Sequence, residues 1–563
     1  MRSRSAVLAA LAATAALVLA GCGGVGGGGA QGGGLAGATE GAGENDTNPL
    51  PRDQVQDGGD LRWVLDAIPD NFNRNQLDGT LGENKEVMDA VIPRAFVAQA
   101  DGTVAVNEDY FTSIELTSQD PQVVTYTINP EATWDDGTPI TWVDMQAQWQ
   151  ALNGTNEAFL VAGTSGYDAI TSVERGVDDK QAVATFGTTF AEWKSIFVDG
   201  IYPASTNTDP ATFNEGWINA MPLTAGPFRL ETVDTTAQTI TLVRNDNWWG
   251  EPAKLDRIIY RVVERDALAD ALANNEIDFY EIGSSVDLFQ RAQGIAGVEI
   301  RQAAPPQYNH ITFNGGPGAI LADPALRRAV AQGIDRQIVA TALVGQIVPD
   351  AGPYGSYLYP EGSENYVDHS APVAFDPAAA TAALDGLGWT SPGAGQVRTK
   401  DGQPLNLRFV TTAGNPISDQ ISQLVASQLT AIGVGVEFVP AASADLFDQY
   451  VTPGDFDMVG FVWGGTPFPV QSTQNIYGTT GDQNYGSIGT PEIDALYAEA
   501  FQELDDARRA ELGNEIDELI WQQMPQLPLY SATGAYAVRS TLANFGARGN
   551  ADFEYVDSGF TAG

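Results

Sequence analysis

Two histidines, one cysteine and 72 carboxylates hold most of the acid–base, nucleophilic and metal-binding capacity of this 563-residue chain. Their spacing argues against each of those chemistries. His310 and His369 are too few for most multi-histidine metal sites. No Gly-x-Ser-x-Gly elbow and no Ser-x-x-Lys pair occurs, so no nucleophile arrives with its base. The close carboxylate pairs Asp135/Asp136, Asp178/Asp179, Asp455/Asp457 and Asp505/Asp506 are what chance supplies at this acid content. A glycosidase needs two acids facing each other across a cleft, and Asp135-Asp136-Gly137 reads better as a turn. The pattern Gly24-Val25-Gly26-Gly27-Gly28-Gly29 sits in a glycine-rich run with no strand before it or helix after it, so it is no nucleotide loop. What remains is recognition. Trp463 stands between a strand-like run, Met458 to Val462, and the loop Gly464-Gly465-Thr466-Pro467. Paired glycines let a backbone approach a ligand closely, and open α/β sheets bind ligands at the carboxyl ends of their strands. The alternative is that Trp463 is plain core.

The elements around that tryptophan alternate helix and strand. Leu61–Leu65, Val123–Ile128, Ile240–Val243, Leu255–Val263 and Ile277–Ile282 read as strands. Thr141 with Asp144 forms a capping-box pattern that opens a helix running to about Leu152. Asp266 is placed to cap a helix over Ala267–Ala273. Asp323-Pro324, Asp376-Pro377 and Thr490-Pro491 each put a capping side chain before a first-turn proline. After the last of these, Ile493, Leu496, Tyr497, Ala500, Phe501 and Leu504 keep helical spacing. The clearest unit is a strand at Leu405–Val410, a helix over about Ser418–Ile432 stopped by Gly433, and a strand at Val434–Val439. That is a β-α-β crossover with parallel strands. The fold class is α/β.

Composition narrows the setting. A formal net charge of -44 argues against nucleic acid as a partner, which calls for a basic surface. With 43% hydrophobic residues the chain is globular, and its length calls for several domains. Arg2 and Arg4 precede an apolar run from Ala6 to Ala20, too short to span a membrane and shaped like an export signal. Leu19-Ala20-Gly21-Cys22 resembles the bacterial lipobox, in which the cysteine sulfur takes the lipid; an ordinary signal with a chance cysteine is the alternative. This gives a signal peptide over 1–21 and a Gly-rich tether over 22–59, with ordered structure starting near Asp60. Beyond Cys22 no thiol remains, so stability must come from core burial.

Several blocks, in order along the chain, resemble the family 5 extracytoplasmic solute-binding proteins of ABC transporters, of the oligopeptide and dipeptide type. They are Tyr126 through Asp144 with its Asp136-Gly137-Thr138-Pro139 turn, and Ala225-Gly226-Pro227-Phe228 followed by Leu242 through Gly250. Asn275-Glu276-Ile277-Asp278, Phe313-Asn314, Leu326 through Val330 and Gly333-Ile334-Asp335-Arg336 continue the series, and Asp455-Phe456-Asp457-Met458 leads into Trp463. The Trp248-Trp249 block and the lipobox resemble those of an actinobacterial lipoprotein branch linked to phosphatidylinositol mannosides and envelope glycolipid assembly.

The resemblance implies a periplasmic-binding-protein-like (type II) fold, with two lobes about a hinge and three domains. Domain I would comprise 60–80, 205–300 and 527–560, domain II 81–204, and domain III 301–526. It implies a lipid-anchored, non-enzymatic binding protein at the extracytoplasmic face of the cell membrane, held through Cys22. Such a protein delivers a peptide or other small solute to ABC permease subunits, without cofactor or metal and as a monomer. It places Trp463, Gly464, Gly465, Thr466, Asn71, Phe72, Asn314 and Tyr530 at the ligand. Peptide-binding relatives carry an aspartate three residues after the cleft tryptophan, where this chain has Thr466. A buried ammonium without its carboxylate is costly, leaving Asp455 or Asp457 as substitutes, or a sugar, glycolipid or blocked peptide as ligand. The rival implication is an envelope-assembly lipoprotein with the same fold and no transport role.

Overall fold

The computed structural model of the chain describes residues 45–393 and 395–562. The expected signal peptide, Cys22 and the tether up to residue 44 lie outside them. The last part of the expected tether is structured instead. Asp46 bridges Ala547 and Val55 bridges Thr561, the Leu50 N–H donates to Asn544 Oδ1 at 2.8 Å, and Arg52 pairs with Asp557. Residues 46–55 thus find partners on the C-terminal segment.

The first lobe holds two four-stranded sheets over a common core. One runs in the order Asp60–Leu65, Arg257–Val262, Thr239–Arg244, Phe228–Asp234, the first pair parallel and the rest antiparallel. Strand period 2 turns Leu61, Trp63 and Leu65 inward. The other sheet, all antiparallel, runs Phe111–Gln119, Gln122–Ile128, Gln181–Phe186, Ile170–Arg175. The helix Trp142–Leu152 packs on it, opened by a complete Thr141/Asp144 capping box. Trp63, Tyr126, Tyr202, Trp217 and Tyr260 belong to one continuous buried cluster, so the two sheets are a single packed body. A three-stranded sheet, Phe279–Glu281, Ala535–Arg539, Val298–Gln302, adjoins them.

The second lobe is built on a five-stranded sheet in the order Gly435–Ala441, Asn406–Thr412, Met458–Gly464, Gln307–Phe313, Gln526–Ser531. Its first three strands are parallel. The expected β-α-β unit supplies two of them, through the helix Pro416–Ala431, which Asn415 caps and Gly433 (φ +83°) ends. Asp323, Asp376 and Thr490 cap their helices as expected. Two expectations fail locally. Ala267, not Asp266, holds the cap position of Leu268–Ala273 and makes no side-chain cap, because Arg265–Ala267 forms a 3-10 turn. The helix after Thr490 stops at Ala500, where a second helix, Asp506–Gln523, needs its own start at Asp505.

The lobes exchange chain twice, side by side. Val298–Gln302 pairs with Ala535–Arg539 in the first lobe, and Gln307–Phe313 pairs with Gln526–Ser531 in the second. Residues 303–306 and 532–534 are the two crossings. Gly534 sits in one of them at φ +55°, and a Cβ there would stand 1.7 Å from the Ala303 carbonyl oxygen. Two short adjacent crossings between separately cored bodies have the geometry of a hinge.

Candidate functional site

Trp463 is the penultimate residue of Met458–Gly464, opposite Tyr308, with His310 opposite Phe461 on the neighbouring strand. All four side chains therefore share one face of the sheet. The Trp463 ring lies parallel to His310 at 5.8 Å and to Tyr485 at 6.1 Å between centroids. Phe461 meets it edge-on at 5.2 Å, and Phe447 extends the group from Phe461 at 5.3 Å. Phe447 is exposed and belongs to a π-helical turn, Leu446–Val451, a geometry frequent at functional sites. The aromatic wall is neutral. His310 is 1% exposed, and burial pushes its pKa down to about 3. Its Nε2 meets Thr312 Oγ1, while its Nδ1 and Trp463 Nε1 are buried without a hydrogen-bond partner among the described residues. Such unpaired groups favour a polar partner.

The expected site residues divide into two sets. Trp463, Gly464, Gly465 and Thr466 stay together beside the first crossing. Gly464 is exposed, with only Gln307 Cγ at 3.9 Å from where a Cβ would stand, whereas the Gly465 N–H donates to the Pro306 oxygen at 2.5 Å and is not free for a ligand. Thr466 Oγ1 accepts from the Phe468 N–H at 3.1 Å, shaping the turn into the helix Pro469–Tyr477. Tyr530 lies opposite Asn309, its hydroxyl buried with Ser284 of the first lobe beside it, and burial raises its pKa to about 12. The other three are spent on structure. Asn71 donates to the Asn214 oxygen and accepts from the Asn73 N–H, and Phe72 is wholly enclosed in the first core. Asn314 donates to the Gly454 and Phe456 oxygens.

Asp455 and Asp457 do not replace the missing aspartate. Asp455 forms an ion pair with Arg408, and Asp457 accepts from the Arg408 N–H at 2.8 Å. Both sit at the opposite end of the Trp463 strand, about 20 Å away at ~3.3 Å per residue. His369 belongs to another construction: its Nδ1 meets Asp517 Oδ2 at 2.6 Å, and Asp517 also accepts from the Tyr357 N–H and Ser356 Oγ. The serine bonds the aspartate, not the imidazole, so the trio lacks the geometry of a nucleophilic triad. Among the described residues, no group of three or more His, Cys, Asp or Glu side chains could hold a metal, and no helix is long and apolar enough to cross a membrane.

Away from the crossings the lobes also touch. The Ala191 N–H donates to the Phe501 oxygen at 2.7 Å, and the Phe190 and Phe501 rings stack at 5.9 Å. Glu192 accepts from the Val470 N–H at 3.1 Å and the Gln471 N–H at 2.7 Å. Phe461, two residues before Trp463, could have been found from strand period; the sequence carries no signal for His310, Tyr485 or Glu192.

A family model described as bacterial extracellular solute-binding proteins, family 5 Middle, matches residues 105–485. The oligopeptide-binding protein OppA of Mycobacterium tuberculosis is 43% identical over 518 residues, covering 92% of this chain and 87% of that one. The probable monoacyl phosphatidylinositol tetramannoside-binding protein LpqW of the same organism is 28% identical over 444 residues, covering 73% of this chain and 68% of that one. Among solved structures, the periplasmic EDTA-binding protein EppA aligns with a TM-score of 0.85 at 24% identity, over 92% of this chain and 99% of that one. That likeness carries the fold, the type II periplasmic binding architecture. With the family model matching most of its length and a relative this similar across nearly all of it, the chain belongs to the bacterial extracellular solute-binding proteins, family 5.

Proposed function

We propose that the protein is the substrate-binding component of an ABC importer, taking up an oligopeptide-like solute between its lobes and delivering it to membrane permease subunits. The observation that carries this reading is the pair of separately cored lobes joined by two adjacent crossings, with an aromatic wall and unpaired polar groups beside them. The likeness to OppA supplies the solute class. A ligand with micromolar affinity needs roughly -8 kcal/mol, and it shifts the lobes toward closure only by contacts it makes with both. In this reading Trp463, Gly464 and Thr466 face the solute, Cys22 carries a lipid that holds the chain at the extracytoplasmic face, and the monomer is the working unit. Its three domains keep the expected plan with the boundaries at 300 and 527 moved to the crossings: 60–80 with 205–302 and 535–560, 81–204, and 307–531. Nothing in the arrangement calls for a covalent step.

One observation favours a second reading. Thr466 stands where an aspartate would neutralise a peptide's α-ammonium, and the likeness to LpqW points to mannosylated phosphatidylinositol as ligand in an envelope-assembly role. Native mass spectrometry of protein purified from its own host, followed by thermal-shift titration with free peptides, N-acetylated peptides and phosphatidylinositol mannosides, separates the two. Peptide retention with stabilisation by peptides supports import. Glycolipid retention with no response to any peptide overturns it.

A further inference from the structure

The helix Pro469–Tyr477 follows directly on the Trp463 loop and lacks a cap of its own. Phe468 holds the cap position and contributes no side-chain bond. The first N–H groups of a helix need an acceptor. Here both oxygens of Glu192 provide it, from 278 residues earlier in the chain and from the other lobe. Glu192 is 5% exposed, and its neighbours Phe190 and Ala191 meet Phe501 of the second lobe. Opening about the crossings must part these groups, since they belong to different bodies.

We propose that Glu192 is a positioning residue that couples lobe closure to the binding loop, capping the helix that follows the Trp463 loop from the other lobe so that the loop is fixed when the lobes meet. The coupling itself needs no ligand; its consequence for affinity rests on the solute-binding reading. The contact also has a titration signature. Burial pushes the Glu192 carboxyl up to about 7, against the pull of its two backbone N–H donors and of Arg509 on the following long helix. Tyr359 and Tyr497 are the other titratable groups it faces, both held neutral by burial. An opened Glu192 returns to its ordinary value of 4.5. The closed form therefore binds the proton more tightly, and the ratio of closed to open falls as pH rises from 4.5 through 7. Between pH 5 and 7.5 the two values give a drop of roughly 60-fold.

Hydrogen–deuterium exchange of the 469–473 amides, corrected for intrinsic rates, with small-angle scattering of the same ligand-free samples, tests this at pH 5 and 7.5. Wild type should lose about 10- to 100-fold of its protection between the two pH values, and its radius of gyration should grow. Glu192→Gln should keep one bond and show no such pH dependence. Glu192→Ala should lose protection at both pH values while the Trp142–Leu152 and Pro416–Ala431 amides stay protected. Unchanged protection in Glu192→Ala, or the same pH profile in wild type and Glu192→Gln, overturns the proposal. A failed ligand screen leaves it standing, because neither readout uses a ligand.

Discussion

His369→Ala should weaken the second lobe in a strongly pH-dependent way. Asp517 is 0% exposed within the helix Asp506–Gln523, and it collects the Tyr357 N–H at 2.5 Å, Ser356 Oγ at 3.2 Å and His369 Nδ1 at 2.6 Å. The carboxylate thereby pins the 354–370 segment to that helix. Breaking a buried pair costs about 3–5 kcal/mol. The His369 side chain is itself 18% exposed, so water can reach the vacated position, and about 2–3 kcal/mol is the expected loss near pH 6. The hydrogen bond to Asp517 raises the imidazole pKa above its usual value, and desolvation raises that of Asp517. The folded pair thus holds its protons more tightly than the unfolded chain does. For His369 the stabilisation is fully present below pH 6.5 and is lost as pH rises through its folded pKa. By pH 9 a neutral hydrogen bond worth about 1 kcal/mol is what the variant gives up. Urea unfolding followed by tryptophan fluorescence at pH 6 and 9, with Asp517→Asn and the double variant closing a cycle, measures the coupling. An equal penalty at both pH values, or no coupling between the two residues, refutes the reasoning.

Gly534→Ala should destabilise the protein by about 2–4 kcal/mol in the same urea assay, since a Cβ at φ +55° combines left-handed strain with a collision against the Ala303 oxygen. Trp463→Ala should weaken binding of whatever ligand co-purifies with the wild type by roughly 30-fold or more in calorimetric titration, the usual cost of losing a buried aromatic anchor; an unaltered affinity would place the ligand elsewhere. Glu86 accepts from Trp63 Nε1 at 2.9 Å, and burial pushes its carboxyl up to about 8. Its contribution is present at low pH and fades as pH rises from 4.5 to 8. Glu86→Gln should therefore be near neutral at pH 4, already stabilising relative to wild type at pH 6 and more so at pH 9, as read from melting temperatures.

What could be read ahead of the structure was local. Thr141 and Asp144 lie three residues apart and bond each other's backbone, and Asp323, Asp376 and Thr490 act within one helical turn, so a short window contains the whole cause. The β-α-β unit at 405–441 was legible for the same reason. Asp266 shows the limit: a capping residue in the right place was overridden by a 3-10 turn that already satisfied the helix start. Trp463 could be singled out by its loop glycines, but its parallel partners His310 and Tyr485 come from elements far apart in sequence. Family position alone points to Asn71, Phe72 and Asn314; the two asparagines turn inward to hold loops and the phenylalanine is enclosed in the first core. Glu192 gave no local sign, because the donors it satisfies belong to another body.

The stitching of residues 46–55 to the C-terminal segment bears on how such a molecule works at a surface. Any leash pulling from upstream of Asp46 would haul on the first lobe, and its force would bypass the two crossings. With such a leash one jaw would be moored while the other stayed at liberty to swing, and the load of anchorage would never have to be overcome when the mouth opens.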